Sequence, residues 1–157
     1  MHTSSLPIPN AIWASAGAAE GDTELNAFDN ALLAARVGNL NLIRVSSVLP
    51  QDATFLQEPP EITPGSLVPT VYSIQVSARP GETVAAAVGI GVGDGSHGMI
   101  YESHGTSQHE VEANVRKMID EGFARRGLHL KEVVVRSIEH KVERIGCAVA
   151  AVVLWWR

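Results

Sequence analysis

The chain has 157 residues, of which 45% are hydrophobic and 18% charged, and its net charge at pH 7 is -5. That length and balance suit one globular domain and exclude a disordered segment. With acid in excess and no basic stripe, a nucleic-acid partner is not expected.

The segment Met1 to Asn10 is short, polar and proline-bearing, without the charged and apolar regions of a signal peptide. Ile12 to Ala19 is apolar with small residues and reads as a first strand. Gly21-Asp22-Thr23 then offers a turn and an N-cap, so a helix is expected from about Glu24 to Arg36, with Gly38 near its C-terminus. Leu25, Phe28, Leu32 and Ala35 share one stripe at helical spacing, and Asp29 lies beside it. Asn41 to Val48 follows as a second strand, whose nearly continuous apolar character predicts burial on both faces. With period two, Asn41, Ile43, Val45 and Ser47 share a face. The stretch from Pro50 to about Pro69 holds Glu58-Pro59-Pro60-Glu61 and Pro64-Gly65 and is expected to be loop, of a length usually tied to function.

Val71 to Ala78 and Thr83 to Val92 read as strands separated by a Pro80-Gly81 turn. Gly93 to Gly98 turns the chain back into Met99 to Ser103, a hairpin. Ser107-Gln108-His109-Glu110 forms a capping box that starts a helix. Val111, Val115, Met118, Ile119 and Gly122 repeat at helical spacing up to Gly127, which ends it. Lys131 to Ile138 and Ile145 to Trp156 are further strands, the latter too short to span a membrane as a helix. The total is about seven strands and two helices, an α+β arrangement with helices covering a mostly antiparallel sheet.

Cys147 is the only cysteine, which rules out an internal disulfide and suits a reducing cytoplasm. Its apolar context predicts a buried, inert thiol. The six histidines show no metal-ligand spacing. The alternating glycines from Gly89 to Gly95 lack the following helix and the lysine of a phosphate loop and fit a tight hairpin. Trp155-Trp156 suit a strand end or a subunit contact.

Ser46-Ser47 closes the apolar segment just before Pro50. In an arbitrary protein such a pair only satisfies local backbone groups. Its surroundings carry more. Leu25-Asn26-Ala27-Phe28-Asp29-Asn30-Ala31-Leu32-Leu33, then Val37-Gly38-Asn39-Leu40-Asn41-Leu42-Ile43 and Ser46-Ser47, resemble the pyruvoyl-dependent arginine decarboxylases. The resemblance is dense from Ala16 to Pro50. It returns in Arg125-Arg126-Gly127 and in Glu139-His140-Lys141-Val142-Glu143-Arg144-Ile145-Gly146-Cys147-Ala148. One departure is Arg36, where members of that family often have glycine.

The resemblance implies self-cleavage between Ser46 and Ser47, with residues 1–46 as one chain of a single domain and residues 47–157 as the other. Ser47 would become a covalently attached pyruvoyl group, with no metal and no pyridoxal phosphate. The reaction implied is decarboxylation of L-arginine to agmatine and carbon dioxide. Asn41 corresponds to an asparagine at the processing site, although about 20 Å of strand separates it from Ser47, so contact needs a bend or a neighbouring subunit. On spacing alone Asn41 reads equally as an asparagine closing a turn. Asp29 corresponds to the anchor of the substrate guanidinium, flanked by Leu25 and Leu32, where a solvated helix residue is the plain alternative. Glu102, to within one residue, corresponds to the proton donor, where an edge-strand glutamate facing water is the plain alternative. The family's fold implies a four-layer αββα sandwich and a trimer of cleaved protomers. The same scaffold acting on another amino acid, an uncleaved paralogue that binds or regulates, and an unrelated binding module are the competing readings.

Overall fold

The computed structural model describes residues 6–46 and 48–157. In chain order the elements are β1 (Ala11–Glu20), α1 (Glu24–Ala34), β2 (Asn41–Arg44), β3 (Val48–Leu49), β4 (Thr54–Phe55) and β5 (Leu67–Ser77), followed by β6 (Thr83–Gly93), β7 (Gly98–Gly105), α2 (Gln108–Arg126), β8 (Leu130–Lys141) and β9 (Gly146–Trp155). Five strands form one sheet in the order β2-β5-β9-β1-β4, and four form a second in the order β3-β7-β6-β8. Pairing is antiparallel except at the two edges of the larger sheet, where β1–β4 and β2–β5 run parallel. The α+β class with two mostly antiparallel sheets and two helices is therefore as expected. The strand total differs because the expected strand Asn41 to Val48 is divided into β2 and β3, and because β4 forms within the stretch read as loop.

Both helix starts follow from local chemistry. The Thr23 side chain accepts from the Asn26 N–H at 3.0 Å, and the Ser107 hydroxyl accepts from the Glu110 N–H at 3.3 Å, each satisfying an otherwise orphaned donor. Gly127 ends α2 at φ 65°, the left-handed conformation that a glycine adopts without strain. The first helix ends differently. Ala35 caps it and Arg36, not Gly38, takes the left-handed turn at φ 64°.

The buried face of α1 is rotated from the expected stripe. Ala27, Ala31, Leu32 and Ala35 are buried, while Leu25 is 75% exposed. The cause lies on β1, where a Cβ on Gly17 would stand 2.4 Å from the Ala35 nitrogen and 2.7 Å from the Ala31 oxygen. The helix sits almost in contact with the strand, and only alanine fits the facing positions. On α2, Val111, Val115, Ile119, Gly122 and Phe123 are buried, whereas Met118 is 37% exposed and does not join them. It is displaced about 100° from Ile119 around the helix.

One apolar cluster fills the space between the sheets, with Ile12, Val71, Val88, Ile90, Ile100 and Val152 among its members. Full burial of each such side chain stabilises by roughly 1.5–3 kcal/mol. A second cluster joins α1 to the larger sheet through Trp13, Ala27, Leu32, Val68 and Val149. Two smaller ones join α2 to the four-stranded sheet through Ala85, Val111 and Val115, and through Met99, Ile119 and Phe123.

The largest departure concerns Asn41 to Val48. It is not one strand buried on both faces. The strand β2 ends at Arg44 as a parallel edge strand, in register from Asn41↔Leu67 to Arg44↔Thr70. An edge strand has one neighbour, so Asn41, Ile43 and Arg44 are exposed and only Leu42 is half-buried. The chain then leaves this sheet, and Val48–Leu49 pairs with Met99 and Gly98 in the other. Ser47 lies outside the described residues.

Candidate active site

Both flanks of residue 47 are fixed, in different sheets. The Val45 N–H donates to the Thr70 carbonyl at 3.3 Å, a link to β5 of the larger sheet. Val48 pairs with Met99 in the smaller one. Ser46, between them, is exposed. The step from one sheet to the other thus occupies a very short span of chain.

Alternation along β7 decides which side chains face this step. Tyr101 packs toward α2, and Ser103 accepts from the Asn114 amide of α2 at 3.2 Å. Ile100 points the other way, into the core between the sheets. Glu102 and His104 share the Ile100 face. Glu102 is half-buried, three residues along the strand from the Val48 pairing position. Burial pushes its carboxyl above the usual carboxylate value, and the charges of Arg44 and His104 pull it down by less. Glu102 is therefore a carboxyl group biased toward its protonated form. At this position β7 pairs with β6, Glu102 opposite Val88, whereas β3 reaches only Met99 and Gly98.

Three nearby groups escaped the sequence reading. The His104 Nδ1 donates to the Gln75 Oε1 at 2.7 Å, bridging the two sheets. The Arg44 guanidinium lies 4.2 Å from the centre of the Tyr72 ring. For Gln75 the signal was available, because a polar side chain at a partly buried position of an alternating strand needs a partner. Arg44 carried no local signal.

The other candidate residues lie elsewhere in the chain. The Asn41 amide donates to the Gly65 carbonyl at 2.8 Å, and its backbone N–H donates to Ser66 at 2.9 Å. Within one chain Asn41 therefore does what a turn-closing asparagine does. Asp29 is exposed and takes part in no ion pair among the described residues. Leu25 lies one turn before it and is also exposed, while Leu32 is buried beneath the helix. Helix α1 covers the face of the larger sheet that points away from Glu102. A single chain therefore does not bring Asp29 and Glu102 together.

A cleft of about 760 Å³ lies between the C-terminal end of α1 and the proline loop, with Leu33, Arg36, Asn39 and Glu61 in its wall. Neither Glu102 nor Asp29 lines it. Burial pushes the Cys147 thiol up to about 12, so it is inert as expected. Among the described residues no cluster of three or more His, Cys, Asp or Glu is placed to hold a metal ion. No described helix is long and apolar enough to cross a membrane.

Comparison with known proteins follows the same lines. Residues 11–156 match the family model described as pyruvoyl-dependent arginine decarboxylase. A protein of that name from Methanocaldococcus jannaschii is 43% identical over 153 residues, covering 96% of this chain and 92% of that protein. One from Pyrococcus horikoshii is 49% identical over 144 residues, covering 89% and 91%. One from Methanococcus maripaludis is 44% identical over 158 residues, covering 98% and 95%.

Proposed function

The chain belongs to the pyruvoyl-dependent arginine decarboxylase family, and from that premise we propose that it converts L-arginine to agmatine and carbon dioxide after cutting itself between Ser46 and Ser47. The match over residues 11–156 carries this reading.

The residues present fit a pyruvoyl group made from Ser47. A serine pair stands where the chain passes between two sheets, with its flanks held at Val45 and Val48, and a half-buried carboxyl group belongs to the strand that pairs with Val48. When formed, the pyruvoyl group supplies the electron-accepting carbonyl that pyridoxal phosphate supplies in other decarboxylases. The chain's own side chains do the remainder. Ser47 attacks the Ser46 carbonyl during processing, and the Asn41 amide acts at that processing site. Asp29 pairs with the substrate guanidinium in a bidentate geometry, and Leu25 and Leu32 flank the aliphatic part. Glu102, whose carboxyl burial raises above its ordinary value, gives a proton to the substrate α-carbon.

The αββα layer order and a trimer belong to the same proposal. Helices packed on opposite outer faces of two stacked sheets support the layers. Two observations support assembly between copies. Asp29 and Glu102 occupy opposite sides of the larger sheet, so a second copy must complete the site. Leu25 on α1, Ile43 on β2, Val48 on β3 and Leu67 on β5 are 75%, 45%, 46% and 67% exposed. Exposed apolar side chains of that size suit a covering surface.

The first test is the intact mass under denaturing conditions. Scaling the 16.7 kDa chain by residue count, cleavage after Ser46 gives fragments of roughly 5 and 12 kDa, the larger about 17 Da below its encoded mass because serine has become pyruvoyl. Release of carbon dioxide and agmatine from arginine completes the proof. A single uncut chain without turnover would overturn the reading.

A further inference from the structure

His104 stands two residues beyond Glu102 on β7, and alternation puts both side chains on the face between the sheets, about 7 Å apart along the strand. Ile100 on that face is fully buried, Glu102 is half-buried and His104 is exposed. The row therefore runs from dry core to solvent. The Gln75 Oε1 accepts from His104 Nδ1 at 2.7 Å, which fixes the proton on Nδ1 and leaves Nε2 as the basic nitrogen.

We propose that His104 is the relay that returns a proton from solvent to Glu102 after each turnover. It acts through Glu102 and does not touch the substrate. The proposal rests on the reading of Glu102 as donor to the α-carbon.

The proton inventory requires such a supply. Loss of carbon dioxide leaves an electron pair at the α-carbon. A C–H bond forms there as the O–H bond of Glu102 breaks, and Glu102 is left as a carboxylate. An imidazolium at His104 then loses its Nε2 proton, directly or across one water, and the Glu102 O–H bond forms again. Nε2 takes its next proton from water. One proton enters per carbon dioxide released, and no group changes oxidation state. A half-buried carboxylate beside a bound product has poor access to bulk water, whereas the His104 ring is exposed to it.

The surrounding charges are few. Arg44 from β2 acts on Glu102. On β5, Gln75 touches His104, and beyond it Ser77 donates to Glu82 at 2.8 Å. From β6, Val88 and Ala86 stand opposite Glu102 and His104 and bring no charge. Helix α2 covers the other face of β7.

The test uses the processed protein with His104→Asn and His104→Gln. Turnover of arginine is expected to fall about 10²-fold in kcat with KM unchanged. The fall should deepen as pH rises, and added imidazole should restore kcat in proportion to its concentration. A readout without turnover is the NMR titration of the Glu102 carboxyl and the His104 ring. Each midpoint should move when the other residue is replaced, Glu102 in His104→Asn and His104 in Glu102→Gln. An unchanged pH profile, a loss that imidazole does not restore, or titrations that ignore one another would overturn the relay. Absence of carbon dioxide from the unaltered protein would instead overturn the decarboxylase reading, and the titrations would still decide whether the two groups are coupled.

Discussion

The guanidinium of Arg36 lies 5.9 Å from the centre of the Trp13 ring while the Arg36 backbone stands at φ 64°. A side chain that anchors a loop is thus carried on a backbone suited to glycine. The left-handed conformation costs a non-glycine residue roughly 1–2 kcal/mol. An exposed cation–π contact returns about 0.5–1 kcal/mol. The ion pair with Glu58 at 3.2 Å joins two largely exposed side chains and adds little. Arg36→Gly should therefore leave stability within about 1 kcal/mol of the parent, and Arg36→Ala should be less stable than Arg36→Gly by about 1 kcal/mol. Urea denaturation of the three proteins reads this directly.

Glu20 at the end of β1 accepts from the His140 Nε2 at 2.5 Å and from the backbone N–H groups of Glu143, Arg144 and Ile145 at 3.3, 2.7 and 3.1 Å. Burial pushes its carboxyl up, but the His140 bond and those of Arg144 and Glu143 together outweigh it and hold the group below its ordinary 4.5. A folded-state pKa below the unfolded one contributes stability above the unfolded value, and that contribution is lost as pH falls through the folded value. Glu20→Gln should cost roughly 1.5–3 kcal/mol at pH 7. The gap should narrow below pH 4.5, as followed by thermal unfolding at a series of pH values.

Glu102 carries the opposite sign. Its burial raises the carboxyl above 4.5 despite Arg44 and His104. Stability from this group is complete below the unfolded pKa and declines as pH rises through the folded one. Glu102→Gln should therefore be slightly more stable than the parent at neutral pH and equal to it in acid. The same variant should lose arginine turnover by at least about 10²-fold. A variant with lower stability at neutral pH would show that the charged form is the one the fold prefers.

Asp29 supplies a test of binding that is separate from processing. Loss of a charge-assisted pair with a guanidinium amounts to about 1.5–3 kcal/mol, or roughly 10- to 100-fold in KM. Asp29→Asn should still give two fragments on a denaturing gel, with KM for arginine raised by that factor. Discrimination against ornithine and lysine should shrink with it. An unchanged KM would remove Asp29 from the site.

The helix caps were legible because they are local. Thr23, Ser107 and Gly127 each act within a few residues of themselves. The strand that carries Glu102 was legible from the β-forming run Met99 to Ser103. The division of Asn41–Leu49 between two sheets was not, because an alternating apolar run looks the same whether its partner is Thr70 or Met99. The face of α1 was misjudged for a similar reason. Leucine spacing pointed to Leu25, but the close approach is set by Gly17 on β1, and that pairing is absent from the helix sequence. The two residues of β4 join Ala11 and Ile12, more than forty positions away, with nothing local to announce them.

Among the described residues, every strand before position 47 pairs only with strands after it. The first lies between β9 and β4, and β2 lies on β5. Breaking the bond after Ser46 would therefore leave two polypeptides that reach this sheet only by finding one another. The uncut chain can refold at a rate indifferent to dilution. The cut protein, once unfolded, would be a bimolecular reactant whose recovery slows in proportion to dilution. If the chain is cut there, severing has to follow folding, because only the folded form holds the two pieces in register.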